Sequence, residues 1–127
     1  MTIPFQILFV VIFLPFVWVG VAAYHVTRAG EALDNKDHRG QQARQTGPAK
    51  RAYGAHYNAL EAIPPFAAAV ITAHLFHADP ARSAQLCVAY LVFRVLHGVF
   101  YVLDWDKLRS LAFGLALVCV VGLFWLA

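Results

Sequence analysis

Hydrophobic and polar positions along this chain fall into long blocks rather than short alternations. From Ile3 to Ala23 there is no charged residue, and 21 positions at about 1.5 Å rise each suffice to cross a hydrocarbon core of about 30 Å. The pattern predicts a first membrane span over 3–26. Pro15 lies inside it, where neighbouring helices can satisfy the carbonyl it frees, so a kink is expected rather than a break. The first Lys or Arg is Arg28, and so long an apolar run without a basic start argues against a cleaved leader. Residues 28–49 change character: Arg28, Glu31, Asp34, Lys36, Asp37, Arg39 and Arg44 lie among Gly, Gln, Asn and Pro48, which reads as a solvated loop. Hydrophobicity returns over 50–76, broken by His56, Asn58, Glu61 and the pair Pro64-Pro65, and predicts a second span with a polar first half. Asp79-Pro80 is placed to start a third span over 81–103, which carries Arg94 deep inside. Asp104 to Lys107 make a turn, and 108–127 form a fourth span whose Gly114 and Gly122 suit close helix packing. The expected fold is all-α: a single domain over 1–127, built as a four-helix transmembrane bundle.

Composition agrees with a lipid-embedded chain. Of 127 residues, 61% are hydrophobic and 13% charged, where a soluble domain has roughly 45–50% and 25%. Nucleic-acid modules and secreted disulfide scaffolds are excluded on the same grounds; Cys87 and Cys119 stand on different spans and are expected as buried free thiols. Six of the ten Lys and Arg residues fall between Arg28 and Arg51, and Lys107 and Arg109 flank the last turn. The positive-inside rule therefore puts loop 28–50 and turn 104–107 in the cytoplasm and both termini on the opposite side. The basic loop suits anionic membrane lipids rather than nucleic acid. No metal site is read from the six histidines: His74 and His77 alone have a ligand-like spacing, and they lie at the far end from the polar residues of the second and third spans. Trp18, Trp105 and Trp125 are expected at the interfaces or facing lipid.

Intramembrane charge carries the functional signal, since an ionisable residue near a helix centre costs about 2.5–3.5 kcal/mol on insertion scales. Glu61 lies ten residues beyond Arg51 and Arg94 ten before Asp104, so both sit about 15 Å deep and can share one level. Asn58 and His97 lie about 10 Å in, Tyr101 about 5 Å, and Arg51 and Arg109 at the rim. Arg51, Gly54, Asn58, Glu61, Pro65, Ala68 and Thr72 form one polar or small stripe; Tyr90, Arg94, His97 and Tyr101 form another. Two such stripes on antiparallel helices describe a pocket open to one side of the membrane. Glu61 and Arg94 could instead simply neutralise each other. Forked guanidinium donors and a carboxylate suit a small zwitterion with extra carboxylates, and apolar walls would admit a lipophilic second substrate from the bilayer.

The stretch from Arg51 through His56, Asn58 and Glu61 to Pro65 and Phe66 resembles the second-helix signature of the MAPEG family, the membrane-associated proteins in eicosanoid and glutathione metabolism. Arg94, His97 and Tyr101, followed by Leu108-Arg109-Ser110, also resemble the family, notably its prostaglandin E synthase branch and microsomal glutathione transferases. Gly54 departs from the pattern, standing where well-studied members carry a basic residue. The resemblance implies a homotrimer in a bacterial inner membrane, with glutathione as cofactor bound between subunits on the cytoplasmic side. It implies that Glu61 holds the glutathione amine and that Asn58 and Arg51 bind or order the site. His56 and His97 fall within the same motifs, Tyr101 would contact the peptide, and Arg94 would lie deep in the site. Arg109 would be catalytic and stabilise the thiolate, with Arg39 as an alternative, and Ser110 would be a helix cap or a catalytic hydroxyl. The expected activity is that of a glutathione transferase or peroxidase acting on a lipophilic electrophile or hydroperoxide, with a non-catalytic membrane scaffold or a small transporter as alternatives.

Overall fold

The computed structural model describes residues 1–127 and is entirely helical: α1 (Ile3–Arg28), α2 (His38–Arg44), α3 (Gly47–Leu75), α4 (Pro80–Val102) and α5 (Asp106–Leu126). The four long helices match the predicted spans to within three residues at each boundary. Proline sits in the first turn of α1, α3 and α4, where its missing N–H would be unbonded in any case. Asp79 caps α4 as its sequence position suggests, accepting from the Arg82 N–H at 2.7 Å. α5 begins without a side-chain cap; Ser110 lies a turn inside it, which removes the capping role considered for that residue.

The solvated loop holds a short helix that hydrophobic periodicity gives no hint of. Asp34 accepts the Lys36 and Asp37 amides at 2.9 and 3.0 Å, and Asp37 caps α2 by accepting from Gly40 N–H at 3.0 Å. Gln41 is buried and fully bonded: its amide donates to Glu31 Oε1 and the Ala32 carbonyl, both at 2.8 Å, and its oxygen accepts from Asp34 N–H. Gln45 donates to the other Glu31 oxygen at 2.8 Å. These side-chain amides hold the Glu31 carboxyl below its ordinary range, and the backbone amides of Asp37 and Lys36 do the same for Asp34.

α1 packs on α3 and α4, and α5 packs on α4 and α3. Small residues let α1 and α3 approach closely: Ala52, Ala55 and Ala59 of α3 are buried against Leu14, Trp18, Ala22 and Val26 of α1. Trp18 is a core residue here and not an interfacial one. Its indole occupies the space that a side chain at Gly98 of α4 would need, and that missing Cβ admits the ring. Trp105 and Trp125 are exposed. The other half of the bundle centres on Phe66, Val70, Cys87, Tyr90, Cys119 and Leu123, so both cysteines are buried and free, as expected. There the Phe66 and Tyr90 rings stack at 3.8 Å, and the Tyr90 hydroxyl donates to the Ala62 carbonyl at 3.0 Å, just ahead of Pro64-Pro65. Gly122 meets Leu86, but Gly114 faces open space and takes no part in packing.

Phe9, Phe13, Phe16 and Val17 of α1 and Leu111, Val118, Val121 and Trp125 of α5 cover the outside. Apolar surface of this extent needs hydrocarbon around it. α1, α4 and α5 are long and apolar enough to cross a membrane. α3 has 29 residues, ample length, but Lys50, Arg51, His56, Asn58 and Glu61 make its first half polar.

Candidate functional site

The polar half of α3 faces α4 and α5 across a cavity of about 220 Å³. Asn58, Glu61 and Pro65 line it from α3, Tyr90 and Arg94 from α4, and Phe113, Ala116, Leu117 and Val120 from α5. Arg94 is 3% exposed, and its Nη2 donates to the Asn58 carbonyl at 3.0 Å and to Asn58 Oδ1 at 2.8 Å. Glu61 reaches the same cavity at the level expected, but it has no ion pair and no hydrogen bond and lies on the exposed side of α3. Mutual neutralisation of Glu61 and Arg94 is therefore not what this arrangement does. Asn58 satisfies the arginine, and the carboxylate is left available. Pro65 adds to this, because it lacks the N–H that would otherwise bond the Glu61 carbonyl.

Tyr101 stands seven residues beyond Arg94 on α4, about 10 Å along the helix axis. Arg109 of α5 places its guanidinium carbon 4.5 Å from the centre of the Tyr101 ring, a cation–π contact. His97, buried between these levels, meets Tyr101 edge-on at 5.7 Å and Phe113 at 6.0 Å. The Tyr101–Arg109 pair does not line the 220 Å³ cavity; it lies one turn from Phe113 toward the α2 end. The polar groups thus form two stations about 10 Å apart, one with Asn58, Glu61 and Arg94 and the other with Tyr101 and Arg109.

Two motif residues serve elsewhere. Arg51 donates through Nε to the Val102 carbonyl at 2.9 Å and pairs with Asp104 at 3.8 Å, which ties the C-terminal end of α4 to α3. His56 bonds the Pro15 carbonyl through Nδ1 at 2.9 Å and so faces α1, away from the cavity. Two residues on a helix turn the direction by about 200°, so the spacing from Asn58 already implied this. Arg39 donates to the Tyr57 hydroxyl, with its guanidinium 5.6 Å from that ring, while Tyr57 donates to Gln42; Arg39 is remote from Tyr101 in its contacts. The α5 wall carries no polar mark in the sequence and was not among the expected site residues, although Phe113, Ala116, Leu117 and Val120 share one helical face. A larger cavity of about 400 Å³ opens at the opposite end of the bundle beside Phe5, His74 and His77. It has no carboxylate or guanidinium in its lining, so the ionic chemistry belongs to the smaller one.

The family model described as the MAPEG family matches residues 3–127, essentially the whole chain. The chain belongs to the MAPEG family. With its three apolar helices, this makes it an integral membrane protein. A search of curated proteins gave no match, so the comparison carries as far as the family.

Proposed function

We propose that this protein is a glutathione-dependent membrane transferase or peroxidase, which activates the glutathione thiol for attack on a lipophilic electrophile or hydroperoxide. The observation that carries this reading is an unpaired carboxylate, Glu61, sharing a cavity within the helical bundle with a buried, positioned guanidinium, Arg94. A carboxylate without a partner suits an ammonium, and Arg94 with Asn58 suits a carboxylate or peptide oxygen. An extended tripeptide is about 10 Å long, the same as the axial separation of the two stations. With its amine at Glu61 it would therefore reach Tyr101 and Arg109 at its far end, its middle residue lying about half-way, roughly 5 Å from that level and on the path of the long Arg109 side chain.

The chemistry asked of Arg109 is modest. A thiol of pKa about 8.5 is mostly protonated at neutral pH, and each unit of depression needs about 1.4 kcal/mol of preferential thiolate stabilisation. A guanidinium held beside the sulfur supplies this, and the thiol proton leaves to solvent. The thiolate then attacks an electrophilic carbon, forming a C–S bond and expelling a leaving group or adding to a double bond. With a hydroperoxide it would attack the terminal oxygen and break the O–O bond, the alkoxide taking a proton from solvent and leaving as the alcohol; a second glutathione would then condense with the sulfenic acid to give the disulfide and water. No enzyme-bound intermediate is required.

The single protomer offers only part of such a site. A volume of about 220 Å³ is below the roughly 300–1,000 Å³ of small-molecule clefts. An exposed carboxylate at membrane depth also needs covering. Both features favour assembly with further copies of the chain, as a homotrimer with α3 as the fourth span and glutathione at the seam. Thermal unfolding of the purified protein tests the function. Glutathione at 100 times its Kd should stabilise by about 2.7 kcal/mol, and glutarate should not. Equal stabilisation by both, or by neither, would reject glutathione as the ligand.

A further inference from the structure

Arg109 makes no ion pair and no side-chain hydrogen bond, so the Tyr101 ring is what orients its guanidinium. What orients Tyr101 is in turn a missing atom. A Cβ at Gly54 of α3 would fall 2.8 Å from both the Tyr101 hydroxyl and Cε1, and 2.9 Å from Cζ. Real Cβ atoms essentially never come so close. The phenol end of Tyr101 therefore rests against bare α3 backbone, and three helices meet in a chain of contacts: Gly54 on α3, Tyr101 on α4, Arg109 on α5.

From this geometry we infer that Gly54 is a positioning residue for the thiolate-stabilising arginine, acting through Tyr101; the inference rests on the glutathione reading given above. The atoms that a new Cβ would strike are at the free end of the tyrosine side chain, and the helix backbones are not among them. Tyr101 would swing away before α3 and α4 separate. Folding survives such a change, while the surface on which Arg109 lies is displaced. The Glu61 and Arg94 station, about 10 Å away, is untouched. Gly54→Ala should thus impair activation more than binding.

The experiment compares wild type, Gly54→Ala, Tyr101→Ala and the double variant in detergent or nanodiscs. With a generic aryl halide as electrophile, Gly54→Ala should lower kcat roughly ten- to a hundred-fold, as misplacement by about an ångström does, with a several-fold smaller effect on KM for glutathione from the displaced Tyr101 contact. The pH midpoint of the ultraviolet thiolate absorbance of bound glutathione should rise. In the Tyr101→Ala background the same substitution should have no further effect, because the two residues act as one unit. A readout without glutathione is the nitrogen-15 spectrum of the Arg109 side chain: its Nε–H, shifted by the aromatic ring in wild type, should move to the same unshifted position in both single variants. Wild type that never develops the thiolate absorbance overturns the reading of the site. Wild type that does, with Gly54→Ala matching it in pH midpoint, kcat and Arg109 resonance, overturns the role of Gly54 alone. An undiminished Gly54→Ala defect in the Tyr101→Ala background overturns the route through Tyr101.

Discussion

Arg94 and Asn58 are joined twice, through the side-chain oxygen and through the backbone carbonyl of the asparagine, both to the same guanidinium nitrogen. Removing the side-chain half leaves a buried charge with reduced satisfaction. Asn58→Ala should therefore destabilise the protein by about 1–2 kcal/mol, between the value for a hydrogen bond to a charged group and the smaller one for polar bonds between membrane helices. Denaturation in mixed micelles measures it; an unchanged transition would mean that Arg94 finds another partner.

Glu61 presents the opposite case. It bonds nothing within the protomer, so Glu61→Gln should leave the fold of a single chain unaltered while abolishing glutathione binding. Calorimetric titration with glutathione separates the two effects, and retained binding would take the ammonium role from this residue.

The Trp18 indole fills the notch at Gly98, and a methyl there has nowhere to go. Gly98→Ala should cost about 1–3 kcal/mol through overpacking. Trp18→Phe in the same chain should recover part of that loss. Absence of any recovery in the double variant would show that Trp18 is not the obstacle.

At the start of α4 the Asp79 carboxylate holds the Arg82 amide. Asp79→Ala should destabilise by about 1 kcal/mol, and Asp79→Asn, which keeps the acceptor, by much less. Equal losses from the two would point to charge rather than capping.

Loop order should depend on pH through Glu31, whose carboxyl is held low chiefly by Gln41 and then Gln45. A depressed carboxyl contributes its stabilisation fully above the unfolded value, 4.5, and loses it as pH falls through the lower folded value. Limited proteolysis within residues 29–46 should accelerate as pH drops below about 4.5. In Gln41→Ala it should be fast already at neutral pH. A rate independent of pH would remove Glu31 from this role.

The long helices were legible because apolar blocks must match the bilayer, and counting 1.5 Å per residue put Glu61 and Arg94 at one level, where both line the same cavity. Counting gives height, but it does not choose partners. It could not tell that Arg94 would turn to Asn58. α2 was invisible because Gln41 and Glu31 support it by polar bonds, without any apolar period. The α5 wall was hidden for a different reason: Phe113, Leu117 and Val120 have the same chemistry whether they face a ligand or a lipid. Gly54 was noticed as a departure from the family pattern, but its use depends on where the Tyr101 ring lands, and only the packed helices give that.

Polar ties are unevenly distributed around the cavity. α3 and α4 are fastened together by the Arg94–Asn58, Tyr90–Ala62 and Arg51–Val102 bonds, and the Phe66–Tyr90 stack reinforces them, whereas α5 makes no side-chain hydrogen bond to either. The α5 seam is instead held by apolar packing and, at one end, by the Arg109–Tyr101 cation–π contact, with no hydrogen bond across it. In the function proposed above, a greasy reactant arriving sideways from the bilayer would meet Phe113 and Leu117, the lipid-exposed part of that hydrogen-bond-free wall.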